Sequence, residues 1–87
     1  MAYEIILRPS AARELRKLPK EIRKRIGKKI DELASNPRPP DAKALTGSER
    51  FLRVRAGDYR IVYTVKDQTP IIMVVRIGHR REIYRKR

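Results

Sequence analysis

The chain has no cysteine and no tryptophan, and only one histidine and one phenylalanine. Without cysteine, disulfides, thiolate nucleophiles and zinc–cysteine sites are all excluded. His79 has no second histidine at helical spacing, so the sequence offers no ligand set for a transition metal. The ten acidic residues are scattered, and only Asp31 and Glu32 are adjacent. Neither a paired acid/base site nor a magnesium cage can be read from them. There is no glycine-rich phosphate loop and no serine or cysteine nucleophile motif. The longest apolar run, Ile71 to Val75, is far too short to span a membrane, and the N-terminus carries no signal-peptide pattern. These absences lead to the expectation of a soluble cytoplasmic protein with no cofactor and no membrane partner.

What the chain has in excess is positive charge. Its 87 residues carry 23 Lys and Arg against 10 Asp and Glu, a net charge of +13. That length suits one domain, residues 1–87, built on a single core. Apolar residues are 40% and charged residues 38%, so the core is lean and the surface dense with charge. The apolar residues nevertheless fall in periodic blocks, which a disordered polyelectrolyte would not show. Such a field favours polyanions: nucleic acid, an anionic membrane surface, or an acidic protein that stabilises the body by covering it.

Two periodicities divide the chain. Tyr3 to Leu7 reads as a short strand closed by Arg8-Pro9. Ser10 is then the expected N-cap of a helix carrying Ala11, Leu15 and Leu18, and Pro19 suits the first turn of a second helix. In that helix Ile22, Ile26, Ile30 and Leu33 form one apolar stripe, and nine Lys and Arg lie from Arg13 to Lys29. A helical hairpin with an apolar inner face and a basic outer one follows. Asn36-Pro37-Arg38-Pro39-Pro40 ends it, and a loop containing Lys43, Leu45 and Gly47 leads on. From Phe51 the period is two: Leu52 and Val54 point one way, Arg53 and Arg55 the other. Ala56-Gly57-Asp58 turns the chain into Tyr59, Ile61, Tyr63 and Val65, alternating with Arg60, Val62 and Thr64. A third strand, Ile71 to Ile77, ends at Gly78. The fold class is therefore α+β: an N-terminal strand, a helical hairpin, then a three-stranded antiparallel meander with the helices on one face of the sheet.

The other face presents Arg53, Arg55 and Arg60. Guanidinium forks match phosphate oxygens in bidentate geometry, and three of them together call for an anion. Arg60 lies mid-strand between Tyr59 and Ile61, where an uncompensated charge is expensive. If the anion is an RNA phosphodiester, metal-free cleavage needs a base for the 2′-hydroxyl, cations for the phosphorane and an acid for the 5′-oxygen. Arginine fits the second role only, because its pKa stays above about 12. His79 and Tyr84 are the two titratable candidates for the others. The basic helical hairpin, including Lys28 and Lys29, suits a second polyanion contact.

The run Arg53-Val54-Arg55-Ala56-Gly57-Asp58-Tyr59-Arg60-Ile61-Val62-Tyr63, followed by Ile77-Gly78-His79-Arg80-Arg81-Glu82-Ile83-Tyr84, resembles the RelE branch of the RelE/ParE toxin superfamily. Ala12-Arg13-Glu14-Leu15-Arg16-Lys17-Leu18-Pro19, Asn36-Pro37 and Lys43-Ala44-Leu45 fit the same pattern, so the resemblance spans essentially the whole chain. It implies a RelE-like fold and the toxin of a type II toxin–antitoxin pair. Such a toxin is an mRNA interferase, a ribosome-dependent endoribonuclease that cuts mRNA in the A site and leaves a 2′,3′-cyclic phosphate. Carried onto this sequence, the catalytic set is Arg53, at a position often held by Lys, with Arg60, Arg80 and Tyr84. His79 stands where some relatives have Lys. Arg55, Lys43, Arg81, Lys28 and Lys29 are the expected RNA contacts. The implied partners are an acidic cognate antitoxin, the 70S ribosome and its mRNA, with rRNA met through the basic helices. Two alternatives remain: a ParE-like toxin that poisons gyrase without nuclease activity, and a non-catalytic RNA-binding protein whose affinity would fall gradually as arginines are removed.

Overall fold

The computed structural model describes residues 2–45 and 50–79. Two helices pack on one face of a five-stranded sheet. In chain order the elements are β1 (Glu4–Leu7), α1 (Pro9–Arg16), α2 (Lys20–Ser35), β2 (Lys43–Ala44), β3 (Leu52–Ala56), β4 (Tyr59–Lys66) and β5 (Ile71–His79). The strands lie in the order β1-β5-β4-β3-β2. The expected meander is β3-β4-β5, antiparallel throughout. β1 adds to its far side in parallel, with Glu4 opposite Ile71 and Leu7 opposite Val74. A parallel neighbour needs a long crossover, and here it includes both helices.

Three boundaries differ from the sequence reading. Lys43 and Ala44, expected in a loop, pair with Arg53 and Leu52 as a two-residue edge strand. β5 does not end at Gly78, because Arg60 and Tyr59 of β4 keep pairing with Gly78 and His79. α1 starts at Pro9 rather than behind a Ser10 cap, and Arg8 is its N-cap residue. Proline presets the helical φ and has no N–H to orphan, so it takes the first helical position. The Ser10 hydroxyl donates instead to the Val75 carbonyl, at 3.1 Å.

That bond belongs to a local solution of an edge problem. β1 covers β5 only as far as Val74, and beyond it α1 lies along the strand. The Arg8 N–H donates to the Val74 carbonyl at 2.9 Å. Three residues on, Glu14 Oε1 accepts the Ile77 N–H at 2.7 Å, while Oε2 accepts Arg76 Nε at 2.9 Å. Helix side chains thus do for this stretch what a neighbouring strand's backbone would otherwise do. At the changeover the β4–β5 register slips: Val62 pairs with Arg76 and Tyr63 with Val74, leaving Val75 as a bulge.

The core is the stripe read from the sequence. Ala11, Ile26, Ile30 and Leu33 of the helices meet Val54, Ile61, Tyr63, Ile72, Val74 and Ile77 of the sheet. Tyr63 is fully buried, and its hydroxyl donates to the Pro37 carbonyl at 2.7 Å, fastening the exit of α2 to the sheet. Burial, first, pushes this phenol up from 10.0 to about 12, with the nearby Asp41 charge adding to it. The folded state therefore holds its proton where the unfolded chain releases it. The contribution is intact below pH 10 and is lost as pH rises towards about 12. Alkaline melts of wild type and Tyr63→Phe should converge across that window, and a constant difference between them would refute the assignment.

Two contacts hold the β4–β5 turn. Arg38 forks onto Asp67, at 3.0 and 3.3 Å, and Tyr3 donates to the same carboxylate at 2.7 Å. The Arg38 and Tyr3 hydrogen bonds hold the Asp67 carboxyl below its usual range. At the β3–β4 turn Gly57 has φ 65°, and a Cβ there would stand 2.9 Å from Arg25 Nη1. Arg25 can move, so backbone strain decides. Gly57→Ala should cost about 1 kcal/mol in a urea melt, and an unchanged midpoint would show that the turn relaxes.

Candidate nucleic-acid interface

Cross-strand partners share a face of a sheet, so the register assigns each side chain. Tyr59, Ile61, Tyr63 and Val65 of β4 pack on the core beneath the helices. Arg60, Val62, Thr64 and Lys66 therefore line the face opposite the helices, with Arg60 and Val62 buried on it. Pairing across the strands sets two rows there: Lys43, Arg53, Val62 and Arg76 in one, Arg55, Arg60 and Gly78 in the next. No carboxylate and no imidazole stands in either row.

Arg60 is the centre of this arrangement. It is 7% exposed, the one buried charged residue among those described. Arg55 faces it directly from β3, and on β5 the partner is Gly78, which puts no side chain beside the arginine stem. Burial strips this cation of most of its water, so solvent screens its charge less than that of its exposed neighbours. Arg53 is half-buried and donates from Nη1 to the Ala44 carbonyl at 2.9 Å, so β2 sets its direction. Arg55 is exposed. Lys43 lies directly opposite Arg53 and extends the basic row to the sheet edge.

The remaining expected residues divide. His79 pairs with Tyr59, and their rings meet edge to face with centroids 5.5 Å apart. Tyr59 packs on the core, so His79 stands on the helix-bearing face, away from Arg60. There it borders a cleft of about 480 Å³ with Glu14, Lys17 and Leu18. Lys28 is exposed on α2, and Lys29 is paired with Asp41 at 3.0 Å. Both belong to the helical side of the molecule, a surface separate from the arginine rows. Arg80, Arg81 and Tyr84 lie outside the described residues.

Arg76 is the site-face residue that sequence reasoning misses. It sits in an apolar run, but the bulge at Val75 turns it into the row of Arg53, where Glu14 holds it. Among the described residues no three His, Asp or Glu side chains could hold a metal ion together, and no helix is long and apolar enough to cross a membrane. The described face can bind and neutralise a phosphate, but proton transfer needs a group outside its two rows.

A family model described as the ParE toxin of type II toxin–antitoxin system, parDE, matches residues 5–84. The mRNA interferase toxin RelE of Escherichia coli K12 is 33% identical over an alignment that covers 97% of this chain and 92% of that protein. Among solved structures, the archaeal RelE–RelB complex from Pyrococcus horikoshii matches with a TM-score of 0.80 at 28% identity, over 92% of this chain and 97% of that one. The intact E. coli RelBE toxin–antitoxin complex matches with a TM-score of 0.79 at 31% identity, over 90% and 96% of the two chains. Pattern, fold and relatives agree, and the chain belongs to the RelE/ParE family of type II toxin–antitoxin toxins.

Proposed function

We propose that this toxin is a ribosome-dependent endoribonuclease that cuts mRNA in the A site without a metal, leaving a 2′,3′-cyclic phosphate. The observation that carries the reading is the buried Arg60 on the sheet face opposite the helices, with Arg53 and Arg55 beside it. In this reading Arg60 and Arg80 hold the scissile phosphate, and Arg53 and Arg55 balance the charge that develops on it. Because His79 shares the opposite face with Tyr59, the 2′-hydroxyl proton is assigned to Tyr84. The chain's weak supply of bases makes positioning by the ribosome important, and in this reading Lys28 on the outer face of α2 meets rRNA. The relatives solved as RelE–RelB complexes support a cognate antitoxin as the other partner, and a +13 body suits an acidic one.

The test is purified ribosomes programmed with a defined mRNA, with cuts mapped by primer extension beside naked mRNA. Cuts in the A-site codon only with ribosomes present are expected. Folded protein that cuts in neither lane would overturn the reading and move attention to a gyrase assay. In the same assay Tyr84→Phe should slow cleavage by about a hundredfold while His79→Gln leaves it within a few-fold. The reverse pattern would return the base to His79.

A further inference from the structure

The same face continues past the arginine rows. Counting by twos from Arg53 and Arg60 leads to Phe51, just before β3, and to Thr64 and Lys66 on β4. These residues line a cleft of about 620 Å³ whose floor also includes Met73 and Val75. Phe51 is the chain's one phenylalanine, yet it is half-buried and absent from the core cluster. Its backbone is fixed, because its carbonyl accepts the Leu45 N–H at 2.8 Å. Arg8, Arg50 and Lys66, all exposed, stand around the cleft. Arg38 also borders it, but its charge is balanced by Asp67. An aromatic ring on a sheet floor inside a basic rim is the chemistry that receives a single-stranded nucleic acid: the ring stacks a base, and the cations follow the backbone. From Arg60 to Thr64 is four residues of strand, about 13 Å, so the cleft lies beyond the scissile phosphate rather than on it.

We infer that this cleft is a second RNA subsite, in which Phe51 stacks a base flanking the cut while Arg8 and Lys66 contact the adjoining phosphates. The inference rests on the nuclease reading for its direction, but it concerns binding and is testable apart from cleavage. Phe51 is a positioning residue here: it orders the strand and takes no part in the proton transfers.

The probe is 2′-O-methyl RNA, which cannot be cut, carrying 2-aminopurine at successive positions in a series of oligonucleotides. For wild type, one position should change its emission on binding. Phe51→Leu should abolish that change and weaken affinity about tenfold, with Phe51→Tyr restoring both. Arg8→Ala with Lys66→Ala should lower the salt slope of binding by about 1.4, roughly 0.7 for each phosphate that is no longer neutralised. An emission change that persists in Phe51→Leu, or no position-dependent change in bound wild-type complexes, overturns the inference. Should Phe51→Leu not fold, the Tyr variant and the double alanine variant decide by the same criteria. Ribosomal cleavage is assayed in parallel. A position-dependent signal without cleavage would sink the nuclease reading and leave the subsite standing, whereas cleavage without the signal would do the opposite.

Discussion

Arg60→Ala is expected to slow A-site cleavage by about a hundred- to a thousandfold, the loss that follows when one preorganised charge donor is removed from a developing oxyanion. The magnitude comes from burial. Arg53 and Arg55 are more exposed, where solvent and salt screen a charge, whereas Arg60 is only 7% exposed, so water screens its charge less. Arg60→Lys should recover part of the rate, because it keeps the charge and loses the planar fork that grips two oxygens. Single-turnover cleavage on programmed ribosomes measures both, with a thermal melt to show that each variant is folded. If folded Arg60→Ala cuts within about threefold of wild type, Arg60 does not stabilise the transition state.

The Arg55→Ala variant should be milder, about tenfold, with most of its effect disappearing at high salt. The comparison separates a site in which position on the face matters from one in which only total charge does. Equal effects from Arg55 and Arg60 would favour the simpler RNA-binding alternative.

How much of the fold and the site is legible in the sequence follows from the physics of each element. The apolar stripe Ile22-Ile26-Ile30-Leu33 and the alternation around Arg53 and Arg60 are local patterns with fixed periods, so helix, strands and the shared arginine face can be read directly. The same counting by twos, carried further along the alternation, reaches Phe51 and Lys66. Long-range pairing has no local sign. Nothing in Glu4 to Leu7 says that it runs parallel to Ile71–Val74, and the two residues of β2 are too few to show a period. The Val75 bulge is similarly silent in sequence, yet it decides that Arg76 faces the site. The end of β5 is misread for a related reason. A strand stopping at Gly78 would free the histidine at a rim, whereas continued pairing with Tyr59 commits it to the helix face.

Glu14 carries the second large effect, on stability rather than on cleavage. It looks like one more scattered acid in a basic helix, but it bonds the Ile77 N–H at the uncovered edge of β5 and Arg76 Nε. Removing the carboxylate leaves a strand N–H without its acceptor, which costs about 1–3 kcal/mol. The Arg76 pair adds at most about 1 kcal/mol, since its side chains are 37% and 28% exposed and water competes for them. Glu14→Ala should therefore lose about 2 kcal/mol, a fall of roughly 8–16 °C in the melting temperature of a domain this size. Glu14→Gln tells the two contributions apart. Its amide oxygen can still accept from Ile77, so it should keep most of the stability while losing the charge attraction to Arg76. If the Gln variant melts as low as the Ala variant, the ion pair rather than the edge cap is what matters. If the Ala variant melts with wild type, α1 does not close this edge of the sheet at all.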